Sequence, residues 1–401
     1  MDDERSIRDR VCIAGIGQTE FTKYGVITRP EFQLAIEAIL AACDDAGISP
    51  ALIDGFASYS NDRNDPARIA HALGIAEFGF TSMTWGGGGG GGSAAVGNAA
   101  AAIAAGYANY VVVYRALAQG QFGRFGQSSA SGRMTGGFAW ETPYGVVAPV
   151  AWYAAQVRRH MYEYGTTSRQ MGLIAVASNK HAQHNPRAVM YGRPITLEDH
   201  QNSRMISDPL RLLDCCLESD GAVAVILTSA DRATDLKQKP VYIGAVAQGG
   251  GHRQSIGMGA NYREKYPTAN FSAVARRLYR MAGIGPQDID VAQVYENFTG
   301  MVLMSLEDHG FCETGEGGRF VEGGRIEHPK VADAGAPHVG ELPINTAGGN
   351  LAEGYIHGFQ LITEAVRQIR GTSTLQVEGA RTCLVASGPG PSPLSNMILH
   401  N

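Results

Sequence analysis

The chain contains no Cys-x-x-Cys pair. Its six cysteines, Cys12, Cys43, Cys215, Cys216, Cys312 and Cys383, are scattered over 401 residues. That spacing excludes a dense disulfide framework and reads as reduced thiols of a cytoplasmic protein. Charge of one sign is also missing. The net charge is −5, which offers nothing to nucleic acid or to an anionic membrane surface. No long apolar run survives either: the most apolar stretch, Ala94 to Ala118, is broken by Asn98, Gly106, Asn109 and Arg115, which excludes a membrane span. The first residues, Met-Asp-Asp-Glu-Arg-Ser, are acidic and polar, unlike a secretory signal peptide.

What the chain has in excess is glycine, 52 residues of 401, roughly twice the ordinary share of ~7%. With ordinary hydrophobic content, such an excess marks tight turns and close backbone approaches. The length exceeds one ordinary core and implies two domains or a fused pair. Seven glycines stand together at Gly86 to Gly92. The segment from Ser93 to Gly106 reads as a helix, with Ser93 as N-cap and Gly106 as C-cap. Tyr110 to Tyr114 reads as a buried strand. A glycine turn feeding a helix N-terminus offers backbone N–H groups to an anion or a polarised carbonyl.

One motif occurs twice. Ala46-Gly-Ile-Ser-Pro-Ala-Leu-Ile-Asp54 and Ala282-Gly-Ile-Gly-Pro-Gln-Asp-Ile-Asp290 share the pattern A-G-I-x-P-x-x-I-D. Each follows an amphipathic helical stretch: Glu31 to Ala46, with Pro30 in the first turn, and about Ser272 to Ala282, with Asn270 as cap. Each precedes a strand-like run, Gly55 to Tyr59 and Val291 to Tyr295. Helix, glycine stop, proline turn and strand in both halves predict duplicated α/β halves, residues 1–235 and 236–401. The second half echoes the glycine loop as well. Gly348 to His357 leads into a helix from Phe359 to Ile369, closed by Gly371, then a strand from Arg381 to Ala386 and the turn Ser387 to Pro393. Between the halves, about Gln119 to Met205, an insertion with helices near Ala151 to Tyr164 and Ser168 to His184 forms a natural substrate cover.

Several stretches in this order and spacing resemble the thiolase superfamily, most of all its lipid-transfer-protein branch related to sterol carrier protein X. They are Val11-Cys-Ile-Ala-Gly-Ile-Gly-Gln-Thr-Glu20, Lys180-His-Ala-Gln-His-Asn-Pro-Arg187, Asp208 to Ala222, Tyr295-Glu-Asn-Phe-Thr-Gly300, Gly348-Gly-Asn350 and Ser387-Gly-Pro-Gly390. The resemblance implies the thiolase fold, five αβαβα layers of duplicated α/β halves.

The departures from the family pattern carry the functional reading. Counting back from Gly106 along C-A-S-G-x-x-A-V-x-x-A-x-x-A-I-x-x-G puts Gly89 at the thiolase nucleophile, so no thiol can form an acyl-enzyme there. Aligning the glycines of G-H-P-x-G puts Tyr355 at the thiolase histidine. The second thiolase cysteine falls near Leu384; Cys383 is one residue off, on the other face of a strand. Tyr295 stands at the Asn of N-E-A-F, a His in the lipid-transfer relatives. Claisen chemistry is thereby excluded. Two tyrosines at lost polar positions resemble the retro-aldolases of steroid side-chain degradation, which cleave a 17-hydroxy steroid C20-carboxyl-CoA to a 17-ketosteroid and propionyl-CoA. A retro-aldol needs a base, an oxyanion site and an acid, but no nucleophile.

The resemblance thus implies Tyr295 and Tyr355 as the acid–base pair, each requiring a pKa lowered from ~10. It implies the N–H groups of Gly89 and Gly388 as the thioester oxyanion site. His357 is placed to tune Tyr355, and Glu296 and Asn297 to order the Tyr295 loop. Cys215 and Cys216 read as core. No metal or separate cofactor is expected, CoA being part of the substrate. The resemblance further implies a homodimer and a small partner protein with an OB-fold and a zinc ribbon. A non-catalytic acyl-CoA or lipid carrier, or a structural subunit of an acyl-CoA complex, is the competing reading. Apolar residues at the two lost polar positions would have favoured it.

Overall fold

The computed structural model describes residues 7–85, 88–124, 138–254, 265–390 and 393–401. The acidic N-terminal residues, Gly86 and Gly87 of the glycine run, part of the insertion, and Pro391 and Ser392 of the last turn lie outside the described residues. Twelve strands are described: β1 (Val11–Gln18), β2 (Thr22–Lys23), β3 (Gly55–Tyr59), β4 (Phe80–Thr84), β5 (Tyr110–Leu117), β6 (Met205–Ser207), β7 (Leu210–Arg211), β8 (Ser219–Ser229), β9 (Val241–Gly249), β10 (Val291–Val294), β11 (Thr382–Ser387) and β12 (Leu394–His400).

The ladder repeats itself. β1 pairs antiparallel with β8 and β8 with β5, while β5, β3 and β4 run parallel. Likewise β9 pairs antiparallel with β12 and β12 with β11, while β11 and β10 run parallel, with Ile344 bridging parallel to Ala292 on the far side. The two ladders join where Cys12 and Ile13 meet Tyr242 and Val241.

The repeated motif explains part of this symmetry. Gly47 and Gly283 end their helices in the left-handed conformation, at φ of 74° and 70°. Pro50 and Pro286 each open a single 3₁₀ turn. The closing aspartates then organise the next parallel strand: Asp54 accepts from the N–H groups of Asn109 and Tyr110 at the start of β5, and Asp290 from those of Arg381 and Thr382 at the start of β11.

Helices lie on the outer face of each ladder and between the two. Helix Glu31–Ala46 packs on β1, β5 and β8, and helix Ser272–Ala282 on β9 and β12. Helices Gly92–Ala104 and Gln360–Arg370 lie between the two ladders, in one core with Val113, Val225, Val385 and Met397. The insertion supplies helices Pro149–Tyr164 and Ser168–Ala182. Among the described residues, no helix is long and apolar enough to cross a membrane.

Three caps differ from expectation. Pro30 is the N-cap itself, outside the first turn. Asn270 turns away at φ 72° and donates to the Gly390 carbonyl. Asp308 instead accepts from Phe271 N and Ser272 Oγ. Ser93 caps nothing: the glycines wind as a 3₁₀ turn directly into a helix that begins at Gly92. The Ser93 hydroxyl is 2.7 Å from that of Ser387, which also accepts from Ser93 N. Gly106, at φ 80°, takes the left-handed position just beyond the helix.

Candidate active site

Tyr295 directly follows β10, and its N–H continues the pairing with β11 by donating to Ala386 O at 3.0 Å. Tyr355 sits in the turn between the short helix Gly349–Ala352 and helix Gln360–Arg370. Its N–H donates to Ser219 Oγ at 3.1 Å, tying the turn to β8. These anchors, 60 residues apart in sequence, bring the two phenol oxygens to 2.8 Å, with the rings edge-on.

The glycine loop makes room for this pair. A Cβ on Gly89 would stand 2.0 Å from Cε2 of Tyr295 and 2.6 Å from Cζ. The aromatic ring therefore fills the space a side chain at position 89 would need. Gly358 lies against the same ring, where a Cβ would come within 2.3 Å of Cδ2. Gly388, at φ 59°, lies against the loop so closely that a Cβ there would fall 2.1 Å from Gly90 N. Only glycine combines that dihedral with that approach. The two glycine loops thus meet beside the phenols.

A cavity of about 1300 Å³ opens onto this point. Gly89, Gly388, Tyr295, Tyr355, His357 and Asn297 line it. Trp152 and Tyr153, on the first insertion helix, form part of the wall. The insertion thus contributes to the cavity wall. Largely apolar walls with polar groups converging at one place suit a bulky apolar ligand with one reacting end.

The electrostatics correct one expectation. Tyr295 and Tyr355 are only 3% and 8% exposed, and burial pushes both phenols well above the ordinary tyrosine value. Neighbouring groups add to this at Tyr295: the Tyr355 phenol first, then the Cys216 thiol. No cation pairs with either hydroxyl among the described residues, and the hydrogen bond from Tyr295, which lowers the Tyr355 value, does not offset its burial. Both are neutral at rest.

His357 is also buried, and burial with the nearby Arg115 cation holds its pKa well below the ordinary imidazole value. Its ring stands edge-on to Tyr355, centroids 5.4 Å apart. Glu296 Oε1 accepts from Asn350 N at 2.9 Å, and burial raises the carboxyl well above its usual range. Asn297 accepts from Phe298 N through its side chain and from Cys216 N through its carbonyl. These contacts tie the segment after Tyr295 to Asn350 and Cys216.

The cysteines divide. Cys383 is buried in the central core, and Leu384 points to the opposite face of the same strand. Neither lines the cavity. Cys215 and Cys216 are not core: both are half-buried and line the cavity. Burial pushes Cys215 up to about 12 and Cys216 well above the ordinary thiol value. Neither is a ready nucleophile. Among the described residues, no cluster of three or more His, Cys, Asp and Glu could hold a metal ion.

Sequence reasoning missed Arg115. It is 1% exposed on β5, paired with Asp62 at 3.1 Å and 2.9 Å from Nδ1 of His357. Its signal was an arginine inside the otherwise apolar run Tyr110–Leu117.

Residues 257–399 match the family model described as Thiolase C-terminal domain-like. The chain is 44% identical over 393 residues to the "Steroid side-chain-cleaving aldolase" of Thermomonospora curvata, covering 96% of this chain and 97% of that protein. It is 44% identical over 398 residues to the "17-hydroxy-3-oxo-4-pregnene-20-carboxyl-CoA lyase" of Mycobacterium tuberculosis, covering 97% and 99%. The solved structure called "Ltp2-ChsH2(DUF35) aldolase" superposes with a TM-score of 0.89 at 42% identity, covering 98% of both chains. The chain belongs to the thiolase superfamily, in the branch that holds these steroid side-chain-cleaving aldolases.

Proposed function

We propose that this protein is a carbon–carbon lyase that cleaves a 17-hydroxy steroid C20-carboxyl-CoA into a 17-ketosteroid and propionyl-CoA, in sterol side-chain degradation. The observation that carries the reading is the pair of hydrogen-bonded phenols, at 2.8 Å, standing where a thiolase nucleophile would need its space.

The cleavage breaks the bond between C17 and C20. The 17-hydroxyl loses its proton as the C17 carbonyl forms, and the bonding electrons pass to C20 as the thioester enolate. C20 then gains a proton. Two neutral phenols in contact suit a relay in which one accepts the hydroxyl proton while the other delivers its own to C20. The pair ends the cycle as it began, without a free phenolate. The N–H groups of Gly89 and Gly388 are assigned to the enolate oxygen, where preorganised donors act most strongly. Gly89 comes from the half assigned to residues 1–235, and Tyr295, Tyr355 and Gly388 from that assigned to 236–401. His357 supports Tyr355; Glu296 and Asn297 support the Tyr295 segment. No cofactor beyond the substrate's own CoA is assigned.

By analogy with the DUF35-containing neighbour, the chain is assigned a small partner protein with an OB-fold and a zinc ribbon, alongside a homodimer of its own, in the cytoplasm. The test is incubation of the protein, with that partner, with 17-hydroxy-3-oxo-4-pregnene-20-carboxyl-CoA. Formation of the 17-ketosteroid and propionyl-CoA in equal amounts is expected. Tight binding with no cleavage would overturn the lyase reading in favour of an acyl-CoA carrier.

A further inference from the structure

Arg115 is among the largest fully buried side chains. It projects from β5 between two other elements. Nη1 pairs with Asp62, itself fully buried, at 3.1 Å, and Nη2 lies 2.9 Å from Nδ1 of His357. A guanidinium has donors and no acceptor, so Nδ1 accepts. An imidazole whose Nδ1 accepts keeps its proton on Nε2 as long as it is neutral.

A second observation bears on the same residue. His357 is held at φ 48°, a conformation uncommon for a residue with a Cβ. Its carbonyl accepts from the Tyr59 hydroxyl at 3.0 Å, and a Cβ on Gly89 would come within 2.8 Å of that oxygen. Backbone strain of this kind persists where the surroundings impose it. Ring and backbone of His357 are thus fixed separately, one by Arg115 and the other by Tyr59 and the glycine loop.

We propose that Arg115 is a positioning residue for the cleavage: by donating to Nδ1 it holds His357 as the neutral imidazole protonated at Nε2, so that the ring beside Tyr355 stays a hydrogen-bond donor and never becomes a competing base. The role in cleavage rests on the lyase reading; the tautomer does not. The charged and titratable groups around the ring are consistent with it. Arg115 and Arg63 both disfavour a cationic imidazole, Asp62 is engaged by Arg115, and Glu31 by Arg63. Tyr59 and Tyr355 are both neutral.

The test is nitrogen NMR of the full-length protein labelled with ¹⁵N-histidine, with His357 assigned by difference from His357→Gln. In the wild type we expect Nε2 protonated, Nδ1 bare, and no titration near the ordinary imidazole value of about 6.5. Removing Arg115 alone would strand the Asp62 charge, so the main variant is Arg115→Met with Asp62→Asn. There the ring should populate both tautomers and titrate. Turnover of the steroid acyl-CoA should fall about tenfold and gain an acid limb that follows the titration, with KM little changed. Arg115→Lys, which keeps a cationic donor, should retain the wild-type tautomer. A wild type protonated at Nδ1, or a folded double variant with unchanged tautomer and pH profile, overturns the proposal. If the double variant does not fold, the wild-type spectrum and Arg115→Lys decide. A locked tautomer in a wild type that cleaves no steroid acyl-CoA defeats the lyase reading, and the role in cleavage with it, while the lock itself stands.

Discussion

The ring of Tyr295 lies in the space that a side chain on residue 89 would claim, with Cε2 only 2.0 Å from where a Cβ would be. A side chain at position 89 and the tyrosine ring at position 295 exclude each other. Gly89→Ala is therefore expected to force Tyr295 aside or tilt the glycine loop, because a contact that short cannot persist. Overpacking of this kind typically costs about 1–3 kcal/mol. Turnover should fall further than stability, since the displaced group is a reacting phenol. Thermal melts and kcat of the purified variant check this. Wild-type values for both would mean that the ring and the loop are not in contact.

The tyrosine pair is tested by removing one oxygen at a time. Phenylalanine keeps the ring, so Tyr295→Phe and Tyr355→Phe separate proton transfer from packing. Each is expected to lower kcat by roughly 10²- to 10⁴-fold, the usual contribution of a general acid or base. The oxygens share one hydrogen bond and one transition state, so the double variant should lose less than the product of the single losses. Two fully active single variants would remove both residues from the mechanism.

The sequence was informative where the signal was local or repeated. The A-G-I-x-P-x-x-I-D motif located equivalent turns because the same three devices recur in each: a left-handed glycine, a proline turn and an aspartate that gathers the next parallel strand. The order of the glycine loops singled out the two tyrosines whose hydroxyls the fold brings together. Contacts made across the fold were not. Ser93 looks like a helix cap until Ser387, 294 residues away, claims its hydroxyl. Arg115 looks like an interruption of an apolar run until β5 brings it to His357, 242 residues away. The expected lowering of the tyrosine pKa failed for a related reason. The fully buried Arg115 cation near the site is committed to Asp62 and His357, and burial alone acts in the opposite direction.

The cysteines offer a contrast of shape against chemistry. Cys216 lines the cavity but is held as a thiol, and Cys383 lies in the central core. Cys216→Ala and Cys383→Ala are expected to retain most of the turnover. Cys216→Trp, in contrast, should abolish it by filling the cavity. Complete loss of activity in a folded Cys216→Ala protein would restore a chemical role to the thiol.

A buried carboxyl near the site makes stability itself depend on pH. Glu353 is fully buried, and burial raises its pKa to about 8. Below the unfolded value, near 4.3, the group is neutral in both states and its contribution is fully present. As pH rises the unfolded chain ionises first, and stability is lost up to about pH 8, by at most ~1.4 kcal/mol per pH unit. Glu353→Gln cannot ionise. Relative to wild type it should gain stability steadily from about pH 5 to about pH 8, as read by denaturant midpoints. A parallel pair of stability curves over that range would show that Glu353 is ionised in the fold.

The pH dependence of turnover distinguishes a relay of neutral phenols from catalysis by a phenolate. A phenolate base would make kcat rise with pH until its pKa is passed, and a lowered pKa would place that rise near neutrality. Here burial raises both Tyr295 and Tyr355 well above ~10, so their neutral form persists throughout the working range. His357, held well below its ordinary value, remains neutral there as well. The expected profile of kcat for steroid acyl-CoA cleavage is flat from about pH 6.5 to about pH 9.5. Above that range stability and activity should decline together. Raised phenol pKa values make the fold bind protons that the unfolded chain releases near pH 10, so stability falls as pH rises through that point. A tenfold rise in kcat between about pH 7 and about pH 9, lost in either Tyr→Phe variant, would identify that tyrosine as an ionised base and replace the relay with a stepwise mechanism.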